Sequence, residues 1–307
     1  MPPGSSSGTR SWHLPLRNAL RQDVTQCVGL SRSLCACTVE SGDRLSLPIV
    51  QPLLLIAALS LSGPWKRVAP GVETAPAAEL GGDPAWAARV VVADPARARL
   101  LVRYDASRPT LAEWRRRYPT AIAIVNGSFY SRDGAEVRPT CELVSEGQRV
   151  RGAGCQRQDA LFFGSVARPR NDVTSTGIVS REAVPGGPRF LAPGDFHAEQ
   201  WAEAIKSFPA LVRNGSAACA GPNYCAESSR TAAIAQLKDG RILLFASQWP
   251  AVRRNVGKWL AEQLGAVDAL NLDGGPEATL AIKDEPAEDS IGGLGVGLPI
   301  VLIVIGR

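Results

Sequence analysis

Short apolar runs separated by turn-forming residues dominate the chain from residue 65 onward. Runs of this kind, bounded by Gly, Pro, Asn or Asp, are typical of β-strands. The pattern predicts strands at 88–93, 98–104, 121–125, 210–213, 231–237, 241–246, 267–272, 278–282 and 298–305. Turn residues at 94–97 and 238–240 predict two hairpins, 88–104 and 231–246. The strongly apolar last run predicts a central strand, and the Pro- and Gly-rich segment 165–195 predicts a loop.

Helical signals occur in three other segments. A capping box, Thr-x-x-Glu, predicts a short helix over 110–117. Apolar residues at helical spacing predict a helix over 197–207. Asn255 is expected to cap a third helix that ends at 264 and is closed by a glycine. The elements together predict one α+β domain over 65–307, with a mixed, strand-rich sheet and a few packed helices.

The segment before this domain is different in character. Residues 1–46 show no period that would bury one face, which indicates a disordered leader or a misannotated start. Residues 47–64 contain an apolar stretch, preceded by Arg44 and followed by small residues, that is short for a membrane span. This stretch predicts a signal peptide or an N-terminal anchor, and so an exported protein that is periplasmic, secreted or membrane-tethered. A buried core helix is the weaker alternative because prolines flank the stretch.

Charge and histidine content exclude some classes of function. The chain has 34 Lys and Arg against 29 Asp and Glu, a formal net charge of +5. The basic residues are dispersed, so the sequence indicates no nucleic-acid partner. With two histidines, His13 and His197, a His-rich zinc site is not expected. His197 remains either a helper in a site or a structural residue.

Seven cysteines divide between the leader and the domain. Those of the leader are Cys27, Cys35 and Cys37, and those of the domain are Cys141, Cys155, Cys219 and Cys225. Four cysteines allow three pairings. In an exported protein, the short separations favour the disulfides Cys141–Cys155 and Cys219–Cys225. A zinc site is the alternative, but the spacings match no common ligand pattern.

Three short motifs place polar side chains at the ends of predicted strands. They are Asn126-Gly127-Ser128-Phe129-Tyr130, Arg230-Thr231-Ala232 and Asn271-Leu272-Asp273-Gly274-Gly275-Pro276-Glu277. Strand ends commonly carry binding groups on a rigid platform. Glycine allows a phosphate or sugar to approach main-chain N–H groups, and an arginine offers a planar fork to phosphate. Taken singly, each motif also fits a tight turn or a surface charge.

The motifs and their order resemble the phosphodiester glycosidase family. The resemblance spans residues 65–307 and includes Trp65 to Gly71, Asn126 to Tyr130, Pro209 to Gly215, Arg230 to Ala232, Leu270 to Gly275 and the last strand. It implies a hydrolase that cleaves a sugar-phosphodiester linkage in an envelope or extracellular glycan. One departure is notable: where the family usually has hydroxyl residues after Gly-Gly, this chain has Pro276 and Glu277, and a hydroxyl returns only at Thr279.

The expected roles follow from this reading. Asp273 would attack the anomeric carbon or activate water, Arg230 would neutralise the phosphate, and Glu277 would be an acid/base partner or a solvated carboxylate. Substrate-binding candidates are Asn126, Gly127, Asn214, Gly215, Asn271, Gly274, Gly275 and Thr279. No cofactor is certain. Asp273 and Asn271 could each supply an oxygen ligand to a divalent cation, but two ligands are fewer than a binding site requires.

Two other functions stay open at this point. The altered loop after Gly275 is consistent with a non-catalytic envelope protein that binds phosphorylated glycans. A metal-dependent phosphodiesterase that breaks the P–O bond is the second. The glycine-rich string 292–297 leads into a predicted strand rather than a helix, so it does not indicate a dinucleotide site.

Overall fold

A computed structural model describes residues 63–307 except 156–158, 168, 174–178, 184–186, 223, 287, 288 and 294; of 169–173 and 179–183 it describes the backbone. The predicted leader, 1–46, lies outside the described residues, as does the predicted signal peptide or anchor up to residue 62. No helix among the described residues is long and apolar enough to cross a membrane.

Strands make up most of the regular structure. The first twelve are β1 (Lys66–Ala69), β2 (Val72–Pro76), β3 (Ala88–Ala93), β4 (Ala98–Tyr104), β5 (Ala123–Asn126), β6 (Tyr130–Asp133), β7 (Glu136–Pro139), β8 (Leu143–Ser145), β9 (Gln148–Val150), β10 (Leu161–Ala167), β11 (Pro169–Val173) and β12 (Val179–Ala183). The others are β13 (Arg189–Leu191), β14 (Trp201–Ser207), β15 (Ala210–Arg213), β16 (Ser216–Ala217), β17 (Ser228–Ser229), β18 (Ala232–Leu237), β19 (Ile242–Ser247), β20 (Ala251–Val252), β21 (Ala266–Asn271), β22 (Leu280–Ile282) and β23 (Ile300–Gly306). The α-helices are α1 (Leu111–Arg117) and α2 (Arg253–Glu262), and short 3-10 helices include Ala77–Leu80, Pro84–Trp86, Pro193–Asp195, Ala198–Gln200 and Gly275–Glu277.

These strands form three main sheets. The eight-stranded sheet has the order β1-β2-β3-β19-β18-β21-β15-β16, the four-stranded sheet β22-β5-β23-β4, and the five-stranded sheet β13-β10-β14-β8-β9. Each recorded pairing between the described strands is antiparallel, so the predicted mixed sheet is wrong. Parallel neighbours need long crossovers, usually helical, and the described residues contain two α-helices. The chain is mostly β, and α+β describes it only coarsely.

The three sheets enclose one main hydrophobic core. It contains Leu244 from the eight-stranded sheet, Leu302 from the four-stranded sheet and Phe163 from the five-stranded sheet, all essentially unexposed. The helices cover outer faces: Trp259 of α2 packs against the eight-stranded sheet, and Trp114 of α1 against the four-stranded sheet. β23 lies between β5 and β4, which confirms the predicted central strand.

Helix α1 has the predicted cap, and α2 does not. The Thr110 side chain accepts from the N–H of Glu113, and the Glu113 carboxylate accepts from the N–H of Thr110, which completes the capping box. Helix α2 begins at Arg253, so Asn255 lies inside it and the predicted Asn255 cap is wrong. At this earlier start, the Arg253 side chain donates to Tyr224 and Glu227, which precede the helix in the chain.

One of the two predicted hairpins exists. β18 and β19 pair across the turn at 238–240, as expected from the Asp-Gly step. The hairpin predicted over 88–104 is wrong, because β3 pairs with β2 and β19 whereas β4 pairs with β23 in another sheet. The turn at 94–97 passes the chain between sheets, and local turn chemistry does not determine which partners the flanking strands take.

The helix predicted over 197–207 is also wrong. Residues 201–207 form β14, preceded by a 3-10 turn at Ala198–Gln200. The register with β10 shifts between Glu203 and Trp201, and such a bulge inserts one extra residue into the strand. Trp201 and Ala204 therefore share one face although they are three residues apart, which imitates helical spacing. The loop predicted over 165–195 is likewise corrected, since it contains β11, β12 and β13.

Two disulfides stabilise the loops of the domain. Cys141 is bonded to Cys155, and Cys219 to Cys225, which confirms the predicted pairing. The second closes a tight loop of the chain just before β17. Cys27, Cys35 and Cys37 lie outside the described residues.

A buried ion pair joins two of the sheets. Oε1 of Glu203 on β14 accepts from Nη1 of Arg103 on β4 at 2.8 Å, and Oε2 accepts from the Val102 N–H at 2.9 Å. The two side chains are 6% and 10% exposed. Nε of Arg103 also donates to the hydroxyl of Tyr118 at 2.8 Å. The five-stranded and four-stranded sheets are thus fixed together by a hydrogen-bonded charge pair.

Candidate active site

The three predicted motifs meet at one place in the structure. β5 ends at Asn126 and β21 ends at Asn271. The loop after β21 contacts both the segment that follows β5 and the segment that precedes β18. The N–H of Asp273 donates to the carbonyl of Gly127 at 2.9 Å, and the N–H of Gly275 donates to the carbonyl of Arg230 at 2.9 Å. The backbone therefore brings the Asn-Gly, Arg-Thr-Ala and Asp-Gly-Gly segments together around Asp273.

The carboxyl group of Asp273 has unusual electrostatics. Burial, and then the negative charge of Glu277, raise its pKa to about 7, while a hydrogen bond from Gly274 N–H and the charge of Arg253 act in the opposite direction. Oδ1 accepts that Gly274 hydrogen bond at 2.9 Å. A carboxyl with this pKa can take and release a proton near neutral pH, which is the property of a general acid or base.

Glu277 lies opposite and is held by a tyrosine. The Tyr130 hydroxyl donates to Oε1 of Glu277 at 3.1 Å. Burial and the Glu277 charge raise the pKa of Tyr130 to about 12, so the phenol remains a donor at ordinary pH. With Ser128 and Asp273 these side chains line a narrow cleft. Ser128 Oγ is buried and has no hydrogen-bond partner among the described residues.

Several predicted binding residues instead support the backbone of the site. Asn126 is buried, its Nδ2 donates to the carbonyl of Asp273 at 2.7 Å, and its Oδ1 accepts from Thr279 N–H at 3.0 Å. Asn271 is unexposed, and its Nδ2 donates to the carbonyls of Phe208 and Leu272. Both amides thus hold the chain around the Asp273 loop.

The predicted glycine donors are also occupied by the protein. Gly127 N–H donates to the carbonyl of Ile300 at 2.8 Å, and those of Gly274 and Gly275 donate to Asp273 and Arg230 as described above. Gly275 has φ of +62°, a region that favours glycine. These glycines therefore shape the loop, and side chains present the groups that face the cleft.

Two arginines contact the chain around this loop. Nη2 of Arg230 donates to the carbonyl of Ala278, and burial lowers the pKa of Arg230. Arg253 at the start of α2 was not predicted. Its side chain is 6% exposed, and Nη2 donates to Ser229 Oγ at 2.8 Å. A Cβ on Gly274 would lie 3.5 Å from that Nη2, which places the guanidinium beside the Asp273 loop.

The position of Arg253 becomes informative only once the helix is known to begin there. A cation in the first turn of a helix meets the positive end of the helix dipole, which is unfavourable unless other groups hold it. Here Nη1 donates to the carbonyl of Tyr224 at 2.9 Å and to Glu227 at 3.2 Å. The residue is thus fixed by the segment that precedes β17.

Asn214 and Gly215 do not join Asp273. They form the turn between β15 and β16, where Asn214 N–H donates to Asp268 Oδ1 at 3.3 Å. Asp268 lies in β21 about 10 Å before the end of that strand at Asn271, at about 3.3 Å per residue, and Asp273 follows beyond that end. His197 is exposed, and its Nδ1 lies 3.7 Å from Glu199 beside the five-stranded sheet.

The described residues contain no group of three His, Cys, Asp or Glu side chains that could hold a metal ion. The two cation ligands expected from the sequence differ in surroundings. Nδ2 of Asn271 donates to backbone carbonyls and its buried Oδ1 has no hydrogen-bond partner among the described residues, whereas Asp273 faces the cleft.

Gly127→Ala is expected to destabilise the protein by about 1–3 kcal/mol. The added Cβ would lie 2.2 Å from Cγ2 of Ile300, whose carbonyl accepts from the Gly127 N–H. Urea denaturation measures the loss. Gly194→Ala is the matched control, since nothing lies within 4 Å of its added Cβ. Wild-type values for both variants would contradict the described packing.

Comparison with known proteins defines the class to which this fold and site belong. The family model for phosphodiester glycosidases matches residues 119–297, which include all three motifs around Asp273. The chain belongs to the phosphodiester glycosidase family.

One solved structure shares the fold, and two others are matched with lower scores. The catalytic domain of zebrafish N-acetylglucosamine-1-phosphodiester alpha-N-acetylglucosaminidase is 16% identical, with a TM-score of 0.50 over 72% of this chain and 77% of that one. A protein from Synechocystis is 15% identical, with a TM-score of 0.44 over 79% and 61% of the two chains. A Burkholderia pseudomallei protein described as exported is 15% identical, with a TM-score of 0.49 over 71% and 73%. No curated protein sequence matches the chain.

Proposed function

We propose that the protein hydrolyses a glycosyl-1-phosphate ester linkage in a phosphorylated glycan. The observation that carries the proposal is the Asp273 carboxyl group, buried beside Glu277 in a cleft, with a pKa of about 7. The class of bond is inferred from membership of the family. The site contains a carboxyl group, Asp273, that can exchange a proton at neutral pH.

Asp273 would act on water in this reaction. Its carboxylate takes a proton as water attacks the anomeric carbon, and the bond between that carbon and the phosphate oxygen breaks. The phosphate monoester leaves as an anion and needs little protonation, so one carboxyl group suffices for the chemistry. Glu277, oriented by Tyr130, contributes the charge that keeps the proton affinity of Asp273 high.

The two arginines would balance the charge of the phosphodiester. Arg253 acts electrostatically on Asp273, and Arg230 interacts with the charge of Glu277 and donates to the carbonyl of Ala278. Positive groups held in place before the reaction stabilise negative charge that builds on the leaving phosphate. We therefore propose that Arg253 neutralises the phosphate together with Arg230.

We also propose that the protein works outside the cytoplasm. Two disulfides in one domain indicate an oxidising compartment, since such bonds are rare in reducing ones. Together with the apolar segment at 47–64, they support export to the periplasm, the medium or a membrane-tethered state.

The test is hydrolysis of UDP-N-acetylglucosamine and methyl hexose-1-phosphates by the full chain, with and without a chelator. Wild type should release free sugar, and Arg230→Ala and Arg253→Ala should each lose at least tenfold in kcat/KM. Chelator sensitivity would add a divalent cation to the site. Binding of these compounds without turnover would overturn the proposal in favour of a glycan-binding protein.

Glu277→Gln is expected to move the acidic limb of the pH profile of kcat/KM to lower pH by about one pH unit. The base form of Asp273 is required, so the wild-type rate rises with pH and levels off above about 7. Removing the Glu277 charge lowers the pKa of Asp273, while glutamine can still accept from Tyr130. Glu199→Gln, which changes an exposed carboxylate in the 3-10 helix before β14, is the control and should leave the limb in place. An unmoved limb in Glu277→Gln would contradict the assignment of the base.

A further inference from the structure

A third arginine, Arg108, lies beside the residues that line the cleft of the candidate active site. Nη2 of Arg108 donates to the carbonyl of Gly297 at 3.2 Å, and Gly297 directly precedes Leu298, which lines the cleft. The guanidinium carbon of Arg108 lies 5.2 Å from the centroid of the Tyr130 ring. The hydroxyl of that ring donates to Glu277 in the cleft. Arg108 thus borders the cleft on the side of Tyr130.

Arg108 has no counter-ion among the described residues. It forms no salt bridge with a described carboxylate, and the carboxylate nearest to it along the chain, Asp105, is paired with Arg117 at 2.6 Å. Its Nη1 donates to no described residue, and its buried Nε has no hydrogen-bond partner there either. A half-buried guanidinium has lost part of its hydration, and an opposite charge compensates for that loss. Arg108 therefore suits an anion that comes from outside the chain.

The two arginines assigned above differ from Arg108 in their contacts. Arg253 is 6% exposed, and both its Nη1 and its Nη2 donate to protein groups. Nη2 of Arg230 donates to the carbonyl of Ala278. Arg108 keeps Nη1 without an acceptor among the described residues, and it lies outside the segment 119–297 that the family model matches. Membership of the family therefore assigns no role to Arg108, and its contacts beside the cleft are the evidence for one.

We propose that Arg108 binds an anionic oxygen of the substrate phosphate on the Tyr130 side of the cleft. The inference rests on the proposed function and extends it by one binding residue. A guanidinium presents several N–H donors in one plane, which suits the anionic oxygens of a phosphate group. The phosphate monoester that leaves keeps such oxygens, so Arg108 should bind the charged product as well as the substrate.

The test is calorimetric binding of methyl phosphate, the charged product of a methyl hexose-1-phosphate, to the full chain. Arg108→Met keeps an unbranched side chain on the Tyr130 ring and removes the charge, so it should bind about tenfold more weakly than wild type. Arg108→Gln is a second uncharged variant and should show the same loss. Arg108→Lys keeps the charge and should bind within about threefold of wild type. Arg116→Met is the matched control, since it removes an equal charge from an exposed position of α1 and should bind like wild type.

Equal losses in Arg108→Met and Arg108→Lys would overturn the proposal and leave Arg108 as a packing partner of Tyr130. Wild-type binding in Arg108→Met would overturn it too, as would no binding of millimolar methyl phosphate to the wild type. Hydrolysis of the methyl hexose-1-phosphates separates this inference from the proposed function. Charge-dependent binding without hydrolysis would refute the proposed function alone, whereas hydrolysis with an unchanged kcat/KM in Arg108→Met would refute the phosphate contact alone.

Discussion

Asp273→Asn is expected to lower kcat by about 10²–10⁴-fold and to make the folded protein more stable above neutral pH. Asparagine keeps the Oδ1 acceptor for Gly274 N–H and removes the ionisable group. Because the pKa of Asp273 is raised to about 7 on folding, the wild type loses stability as pH rises from about 4 through 7. That loss is as much as about 4 kcal/mol above pH 7. The asparagine variant does not ionise there and avoids it.

Urea denaturation at pH 5 and pH 8 measures this effect beside activity. The stability advantage of Asp273→Asn over wild type should be larger at pH 8 than at pH 5. Asp195→Asn is the matched control, because Asp195 is exposed in a 3-10 helix that is remote from Asp273 in the sequence. Wild-type activity in Asp273→Asn would refute the mechanism, and a variant less stable than wild type at pH 8 would refute the electrostatic account.

Glu203→Ala is expected to destabilise the protein by about 3–5 kcal/mol. The substitution leaves the Arg103 guanidinium buried between two sheets without its carboxylate. Thermal and urea denaturation measure the loss. Glu136→Ala is the control, since Glu136 and Arg138 form an exposed pair that contributes no more than about 1 kcal/mol.

A double variant separates charge from packing. Glu203→Leu with Arg103→Met replaces both charges by apolar groups and should recover most of the stability that Glu203→Ala loses. Similar losses in Glu203→Ala and Glu136→Ala would contradict the view that this pair joins the sheets.

Local patterns predicted the parts of the fold that depend on neighbouring residues. The capping box of α1, the Asp-Gly hairpin and the apolar β23 are all decided within a few positions of the chain. β3 pairs with β19 and β4 pairs with β23, both more than a hundred residues away, so no turn signal at 94–97 could assign these partners. In β14, a bulge set by pairing with β10 produced the false helical spacing.

The candidate site divides in the same way. The motif around Asp273 could be predicted because its polar residues follow one another directly at the end of a strand. The role of Asn126 could not, since its side chain binds backbone groups rather than a ligand in the structure. Arg253 was missed because its burial depends on Tyr224 and Glu227 in a separate loop. The string that contains Asn214 matched the family, yet its turn lies at the far end of β21 from Asp273.

The most direct test of the central claim is the position of bond cleavage in ¹⁸O-labelled water. The full chain is incubated with methyl glucose-1-phosphate and with its N-acetylglucosamine counterpart, and the phosphate product is analysed by mass spectrometry. Attack at the anomeric carbon predicts methyl phosphate that carries no label, because water oxygen enters the sugar. Labelled methyl phosphate would contradict the account and identify a phosphodiesterase that breaks the P–O bond.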